Sequence, residues 1–213
     1  MAAVVRDARP EDAGFLAWTI LSAARAHLDR GWYDIAAGLP EAETLALLQR
    51  LALTASPCFW RYDRYLVADD DGTRAGALCA FGSADFGASE AAMAEAVEPL
   101  GWGEAELGAL WGRGAYLFLC TPDGETEPVW TVENVAVTPA HRGRGVAGML
   151  IERALDLGRE AGFRLAQISF LIGNEAAERA YAKAGFRLAE EKRHPEFAAV
   201  AGAPGLKRYV RTL

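Results

Sequence analysis

The sequence predicts an α/β protein in which residues 1–213 form a single domain, and three observations support this class. Strand-like and helix-like segments follow one another in the order βααββ, an unclear stretch, and then βαβαββ. An Asp71-Gly72 pair between two apolar runs is a strong signal for a β-hairpin. Residues 165–172 are almost all apolar, which indicates a strand that is buried on both faces of a sheet.

The first half of the chain gives two helices and a hairpin. Residues 2–8 are strand-like, and Pro10 with two acids then starts a helix whose apolar stripe runs to about Leu28. Residues 29–33 are typical of a turn that exposes Trp32 and Tyr33, and a second helix begins at Pro40. The hairpin consists of strands 64–68 and 74–81. Its turn contains three consecutive Asp, but no calcium-loop spacing follows, so a solvated turn is predicted.

Residues 84–123 form an insertion between two strands, with predicted helices over 89–100 and 104–111. After it come a strand (129–137), a helix (145–161), the apolar strand (165–172) and a helix (175–184). Asn174 stands where that last helix needs an N-cap, and Gly185 where it needs a C-cap. A short strand (186–189), a loop (194–205) and a final strand (206–212) complete the order. The insertion's helices are suited to cover a site or to form a dimer contact.

Composition narrows the functional class. Hydrophobic residues make up 52% of the 213 residues and the formal net charge is −7, whereas nucleic-acid-binding domains are usually basic. The negative charge is compatible with a cationic substrate. No run reaches the roughly 18 apolar residues of a membrane span, and charges follow the first residues closely, so we expect a cytoplasmic protein without membrane contact.

Metal and redox chemistry are not predicted. The three cysteines (Cys58, Cys79 and Cys120) are far apart and form no CxxC pair, which is typical of buried, reduced thiols. The three histidines are equally scattered. We therefore predict that the protein contains no metal site.

A glycine-rich turn between a strand and a helix is the strongest functional signal. Residues 132–137 are strand-like, Pro139 ends the strand, and residues 142–145 (Arg-Gly-Arg-Gly) lead into a helix. Free N–H groups and the helix dipole favour an anion at such a helix start. The glycines allow close approach of a phosphate to the main chain, and the arginines add positive charge.

Two common nucleotide motifs do not fit this turn. Gly143, Gly145 and Gly148 match GxGxxG, but residues 138–142 separate the strand from the first glycine, and the next strand ends without the acid that would hold a ribose. The Gly-Lys-Ser/Thr of an NTPase loop is absent as well. A phosphate-bearing ligand other than NAD or ATP is favoured.

Two sequence patterns in the second half of the chain match a known family. The first, Gln/Arg-x-x-Gly-x-Gly/Ala, is met by residues 142–147 behind the strand. The second, Asn-x-x-Ala-x-x-x-Tyr-x-Lys-x-Gly-Phe, is met by Asn174, Ala177, Tyr181, Lys183, Gly185 and Phe186. In both respects the sequence resembles the GNAT-type N-acetyltransferase superfamily, specifically over residues 129–187. The resemblance implies a central mixed, mostly antiparallel sheet flanked by helices, with an insertion longer than the compact family core needs.

The resemblance implies acetyl-CoA as co-substrate and no metal. The residues it places at the CoA are Val135, Ala136, Val137, Arg142, Gly143, Arg144, Gly145, Val146, Ala147, Gly148 and Asn174. Asn174 can serve as helix cap and as CoA ligand together. Spacing alone favours a core tyrosine at position 181, because alanines share its helix face. The resemblance reverses this and makes Tyr181 the acid that protonates the departing thiolate.

The same resemblance suggests the acceptor side of the site. Glu133 is the candidate base for the acceptor amine, with Asp85 in reserve, although a solvated strand residue would look the same in the sequence. His27, Trp32 and Tyr33 are candidates for the acceptor wall.

We therefore predict an N-acetyltransferase that transfers an acetyl group from acetyl-CoA to a small-molecule or peptide amine by direct attack in a ternary complex. The alternative is a non-catalytic acyl-CoA-binding or sensory module of the same fold.

Overall fold

A computed structural model describes residues 3–82, 89–125 and 127–213. Its strands are β1 (Val4–Asp7), β2 (Tyr65–Asp70), β3 (Thr73–Gly82), β4 (Trp130–Val137), β5 (Leu165–Leu171), β6 (Arg187–Arg193) and β7 (Gly205–Thr212). Its α-helices are α1 (Ala13–Arg25), α2 (Trp32–Ala37), α3 (Glu41–Ala52), α4 (Ser89–Val97), α5 (Glu104–Gly114), α6 (Val146–Glu160), α7 (Glu175–Lys183) and α8 (Pro195–Ala201).

The strands form one seven-stranded sheet in the order β1-β2-β3-β4-β5-β7-β6. Neighbouring strands are antiparallel except for β4 and β5, which run parallel. The predicted mixed, mostly antiparallel sheet flanked by helices is therefore confirmed. The β2–β3 hairpin turns at Asp71 and Gly72, both with positive φ, as the Asp-Gly pair predicts.

Each face of the sheet carries its own apolar core. On one face α1, α2, α3 and the helices α4 and α5 of the insertion pack against β2 and β3, around Leu16, Leu48 and Phe81. On the other face α6 and α7 cover the centre of the sheet, around Leu150 and Ile168. The alternation of side chains along a strand divides the two cores, so neighbouring residues of β4 face different helices.

The insertion docks on the first of these faces through α2. The indole N–H of Trp32 donates to the carbonyl of Gly114 at 2.9 Å, and the guanidinium of Arg113 donates to the last carbonyls of α2, at Ala36 and Ala37. A second attachment is Glu95, whose carboxylate accepts hydrogen bonds from Thr54 and from the main chain that follows α3. These bonds, led by the one from Thr54, lower the pKa of Glu95 to about 2.

Three local expectations were wrong. Residues 32–37 are a short helix and not a turn, because the Asp34 carboxylate caps the main-chain N–H of Gly31 at 2.8 Å and is paired with Arg25. Residues 195–201 are a helix inside the expected loop, with His194 as its N-cap. β6 continues to Arg193 despite its charged sequence, because the edge strand is held by pairing with β7.

Cys58, Cys79 and Cys120 are buried free thiols, as predicted. Among the described residues, no helix combines the length and the apolar character that a membrane span requires.

The docking of the insertion can be tested at Gly114. A Cβ there would lie 2.6 Å from the Trp32 ring, whereas a Cβ at Gly112 in the same helix would meet nothing within 4 Å. We expect Gly114→Ala to lower the free energy of unfolding by about 1–3 kcal/mol through overpacking. Gly112→Ala should raise it by about 0.5–1 kcal/mol, because alanine favours a helix. Urea unfolding of both variants measures this, and equal effects would contradict the docking contact.

Candidate active site

The site begins where β4 and β5 separate. These strands pair in parallel over three positions, Trp130–Val132 against Ala166–Ile168, and then diverge. On its other side β4 has one extra residue against β3: Ala136 pairs with Ala77 and Glu133 with Cys79, so Asn134 and Val135 oppose a single β3 residue. This is a β-bulge, and bulges bend the strand that carries them.

Asn134 fits the bulge for a stereochemical reason. Its φ is +52°, a left-handed conformation that asparagine adopts more readily than most residues. Its side-chain amide donates to the hydroxyl of the buried Tyr65 at 3.0 Å, which anchors the bulge to β2. The strand therefore bends away from β5 at a defined residue.

A cleft of about 250 Å³ opens at the divergence. Its described lining residues are Phe81, Thr121, Pro122, Gly124, Thr131, Glu133, Gln167, Ser169 and Arg208. On β4 and β5, Val132 and Ile168 point into the core beneath α6. Side chains alternate along a strand, so the lining residues on either side of these two positions lie on the opposite face, which carries the insertion. These residues are Thr131, Glu133, Gln167 and Ser169.

Glu133 is the one acidic side chain among the described residues that line the cleft. It is partly buried, and this burial raises the pKa of its carboxyl to about 7. A carboxyl that titrates near neutral pH is partly ionised there, so it can accept a proton from a substrate and later release it. Cys79, its register partner, is different: burial and then the charge of Glu133 raise the pKa of that thiol well above its usual range, so it remains protonated.

The glycine-rich turn lies between β4 and α6, as predicted. Gly143 and Gly145 have φ of +75° and +83°, and Gly145 is the N-cap of α6. Residues 142–145 are exposed, and a Cβ on Gly143, Gly145 or Gly148 would meet no atom within 4 Å. The first turn of a 15-residue helix thus opens onto free space, the arrangement that binds phosphate groups.

The two arginines of the turn have different partners. Arg142 folds back so that its Nε donates to the carbonyl of Val137 at 3.3 Å. Arg144 is 62% exposed and lies 3.7 Å from the Asp70 carboxylate, which His141 also contacts. Arg144 is therefore the guanidinium that can reorient toward an anion at small cost.

The end of β4 presents main chain on the side of the divergence. The N–H of Thr138 donates to the carbonyl of Ala75 on the β3 side, so the neighbouring Val137 directs its main-chain groups to the opposite side. Beyond Val132 that side pairs with no described strand residue. Val137 accordingly lies where its N–H can pair with an extended ligand, whereas by the same alternation Ala136 directs its main-chain groups to β3.

Asn174 and Tyr181 occupy α7 as the sequence indicates. Asn174 Oδ1 accepts from the N–H of Ala177 at 3.2 Å, so the predicted cap is present. Tyr181 is buried in the α6-side core, with its ring edge-on to Phe170 at 5.3 Å, and is not among the described residues that line the cleft. Burial raises the pKa of its phenol, which keeps it protonated.

The expected acceptor wall is arranged differently. Tyr33 is buried, and its hydroxyl accepts from the indole of Trp60, while Trp32 packs on Gly114; neither is an exposed turn aromatic. His27 is exposed beside Gly173, at the start of the turn into α7. None of the three appears among the described lining residues, so their contact with an acceptor stays a prediction. Asp85, the reserve base, lies outside the described residues.

Five polar residues of the described lining were not singled out from the sequence: Thr121, Thr131, Gln167, Ser169 and Arg208. The expectation that residues 165–172 are buried on both faces was wrong, because Gln167 and Ser169 face the cleft. A signal was present, since these are the two polar residues of the strand and they alternate. Arg208 is 6% exposed and is paired with Glu125 at 2.8 Å and Glu190 at 3.3 Å.

No group of three or more His, Cys, Asp or Glu side chains that could hold a metal ion occurs in residues 3–82, 89–125 and 127–213.

The sequence model of the Acetyltransferase (GNAT) family matches residues 32–186, which is more than half of the chain. The chain belongs to this family. It is therefore an acyltransferase. Membership of the family supports acetyl transfer, with acetyl-CoA as the co-substrate. No curated protein sequence matches the chain.

Solved structures share the fold over the whole chain. An N-acetyltransferase from Staphylococcus aureus Mu50 is 20% identical, with a TM-score of 0.68 and coverage of 98% of this chain and 100% of that one. The Drosophila melanogaster polyamine N-acetyltransferase, which forms N-acetylagmatine, is 18% identical, with a TM-score of 0.58 and coverage of 99% and 100%. The Salmonella typhimurium protein yncA, solved with its cofactor acetyl-CoA, is 17% identical, with a TM-score of 0.53 and coverage of 100% and 95%.

Proposed function

We propose that residues 1–213 act as one N-acetyltransferase domain that transfers the acetyl group of acetyl-CoA to a primary amine. The observation that carries this proposal is Glu133, a carboxyl with its pKa raised to about 7 inside the cleft between the diverging strands. An alkyl ammonium must lose a proton before its nitrogen can attack, and a base at this position could remove it.

In the proposed complex the pyrophosphate of CoA binds at residues 142–148, and the pantetheine arm pairs with the main chain of residues 135–137. Asn174 Oδ1 is used by its own helix, which leaves its side-chain N–H groups to donate to the CoA arm. The amine attacks the thioester directly, the main-chain N–H groups at the end of β4 stabilise the developing oxyanion, and Tyr181 protonates the thiolate.

A small cationic amine is the favoured acceptor. The cleft is smaller than the roughly 300–1,000 Å³ of pockets for drug-sized ligands. Around Arg208 the carboxylates of Glu125 and Glu190 outnumber the guanidinium, and Glu133 adds a third acid. The neighbour that acts on polyamines makes agmatine and polyamines sensible first candidates. A cytoplasmic location, the absence of nucleic-acid and membrane contacts, and a homodimer remain predictions.

A thiol-release assay with acetyl-CoA and a panel of amines tests the function. We expect free CoA to appear with at least one small cationic primary amine. A separate thermal-shift measurement with acetyl-CoA reports binding, because a ligand at 100 times its Kd adds about 2.7 kcal/mol of stability. Binding without thiol release from any amine would favour the non-catalytic module, and no thermal shift would contradict both interpretations.

The pH dependence tests Glu133. Because only the deprotonated carboxylate accepts a proton, kcat/KM should fall below an apparent pKa near 7. Glu133→Gln should lower kcat by at least about 100-fold and remove this limb. Burial raises the pKa of Glu133 in the folded state, so its ionisation costs stability as the pH rises from the unfolded-state pKa to about 7. Glu133→Gln lacks this cost and should be at least as stable as wild type above pH 7. An unchanged acid limb in Glu133→Gln would assign the base elsewhere.

Tyr181→Phe tests the general acid. Without the phenol the thiolate must leave unprotonated, so kcat should fall by about 100-fold while the affinity for acetyl-CoA stays nearly constant. Tyr209→Phe is the matched control, because Tyr209 lies in the same aromatic cluster but its hydroxyl donates to Glu178. Equal turnover in both variants would limit Tyr181 to a packing role.

A further inference from the structure

Gln167 lines the cleft and carries an unsatisfied side-chain acceptor. Its side-chain Nε2 donates to the hydroxyl of Thr131 at 3.1 Å. Its Oε1 is shielded from solvent and has no hydrogen-bond partner among the described residues. A buried acceptor without a donor costs about 1–3 kcal/mol, so the folded protein tolerates a defect that a bound N–H would remove.

The position of this acceptor connects it to the proposed base. Thr131 and Gln167 are register partners in the parallel β4–β5 ladder, one pair before the strands separate. Glu133 is the next residue on the same face of β4, and Glu133 and Gln167 both line the cleft. Continued by two residues, the same register places Ser169 level with Glu133, so Gln167 lies diagonally across the strands from Glu133 on the same face.

We propose that Gln167 is an acceptor-binding residue whose Oε1 accepts a hydrogen bond from the attacking nitrogen and thereby selects primary amines. The inference rests on the amine-acetylating function proposed above and extends it to a residue and a substrate class. Among the charged lining residues Arg208 offers only donors, so it cannot hold an N–H group. Gln167 supplies an acceptor without adding a negative charge next to Glu133.

The proton balance explains the selection. An ammonium R-NH3⁺ gives one proton to Glu133 and becomes R-NH2, whose lone pair attacks the thioester carbon. When the C–S bond breaks, Tyr181 gives its proton to the thiolate and regains one from the nitrogen's second proton, and Glu133 afterwards releases the first proton to solvent. The amide formed from a primary amine keeps one N–H, which Gln167 can hold from start to finish. A secondary amine keeps none, so its product leaves Oε1 unsatisfied again.

The test compares Gln167→Met, which has a similar length but no amide acceptor, with wild type, using the best primary amine of the panel and its N-methyl derivative. We expect Gln167→Met to lower kcat/KM for the primary amine about tenfold while KM for acetyl-CoA stays constant. Wild type should prefer the primary amine by about tenfold or more, and the variant should lose most of that preference. Gln49→Met, at an exposed position on α3, is the matched control and should behave as wild type.

The outcomes separate the two proposals. Turnover of amines with an unchanged preference in Gln167→Met would overturn the role of Gln167 alone, whereas wild type without turnover on any amine would overturn the function and this inference together. If Gln167→Met does not fold, the comparison of the two amines on wild type still decides, because equal kcat/KM values would contradict the proposed selection.

Discussion

The separation of β4 from β5 after three residue pairs is the constraint on which the site depends. A continuous parallel ladder would use the main chain of both strands and fill the space between them with side chains. The bulge at Asn134 and Val135 prevents this, because the extra residue bends β4, and the bond from Asn134 to Tyr65 holds the bend in place. The bulge thereby opens the sheet at its centre, between its two apolar cores.

The same opening leaves two polar groups without the solvation or the hydrogen-bond partner that they need. The carboxyl of Glu133 is desolvated, and Oε1 of Gln167 has no described partner. Each of these opposes folding and becomes useful when a ligand supplies the missing charge or donor. The surroundings offset part of the cost: Arg208 is held by Glu125 and Glu190, and β5 pairs with β7 along its whole length. The site thus lowers stability locally, within a sheet whose other strands remain paired.

The sequence predicts best where chain geometry and local chemistry agree. From Trp130 to Glu160 each element has its own signal. β-branched residues predict the strand, glycines predict the turn, and apolar residues at helical spacing predict the helix. The short helix at Trp32 escapes the same reasoning, because six residues carry no periodicity and its cap depends on Asp34 and Arg25. The cleft escapes it too, since Gln167 and Arg208 come from strands that meet only in the folded sheet, and a bulge has no clear sequence signal apart from Asn134.

The arrangement of the two faces supports direct attack over a covalent intermediate. Glu133 and Gln167 face the side of the sheet that carries the insertion, whereas Tyr181 belongs to the core on the α6 side. In the proposed reaction the amine thus approaches the thioester from one face while its leaving thiolate is protonated from the other. The buried cysteine nearest to the base, Cys79, keeps its proton because burial and the charge of Glu133 raise its pKa. A thiol held in that state is a poor nucleophile, which favours the proposed direct attack by the amine.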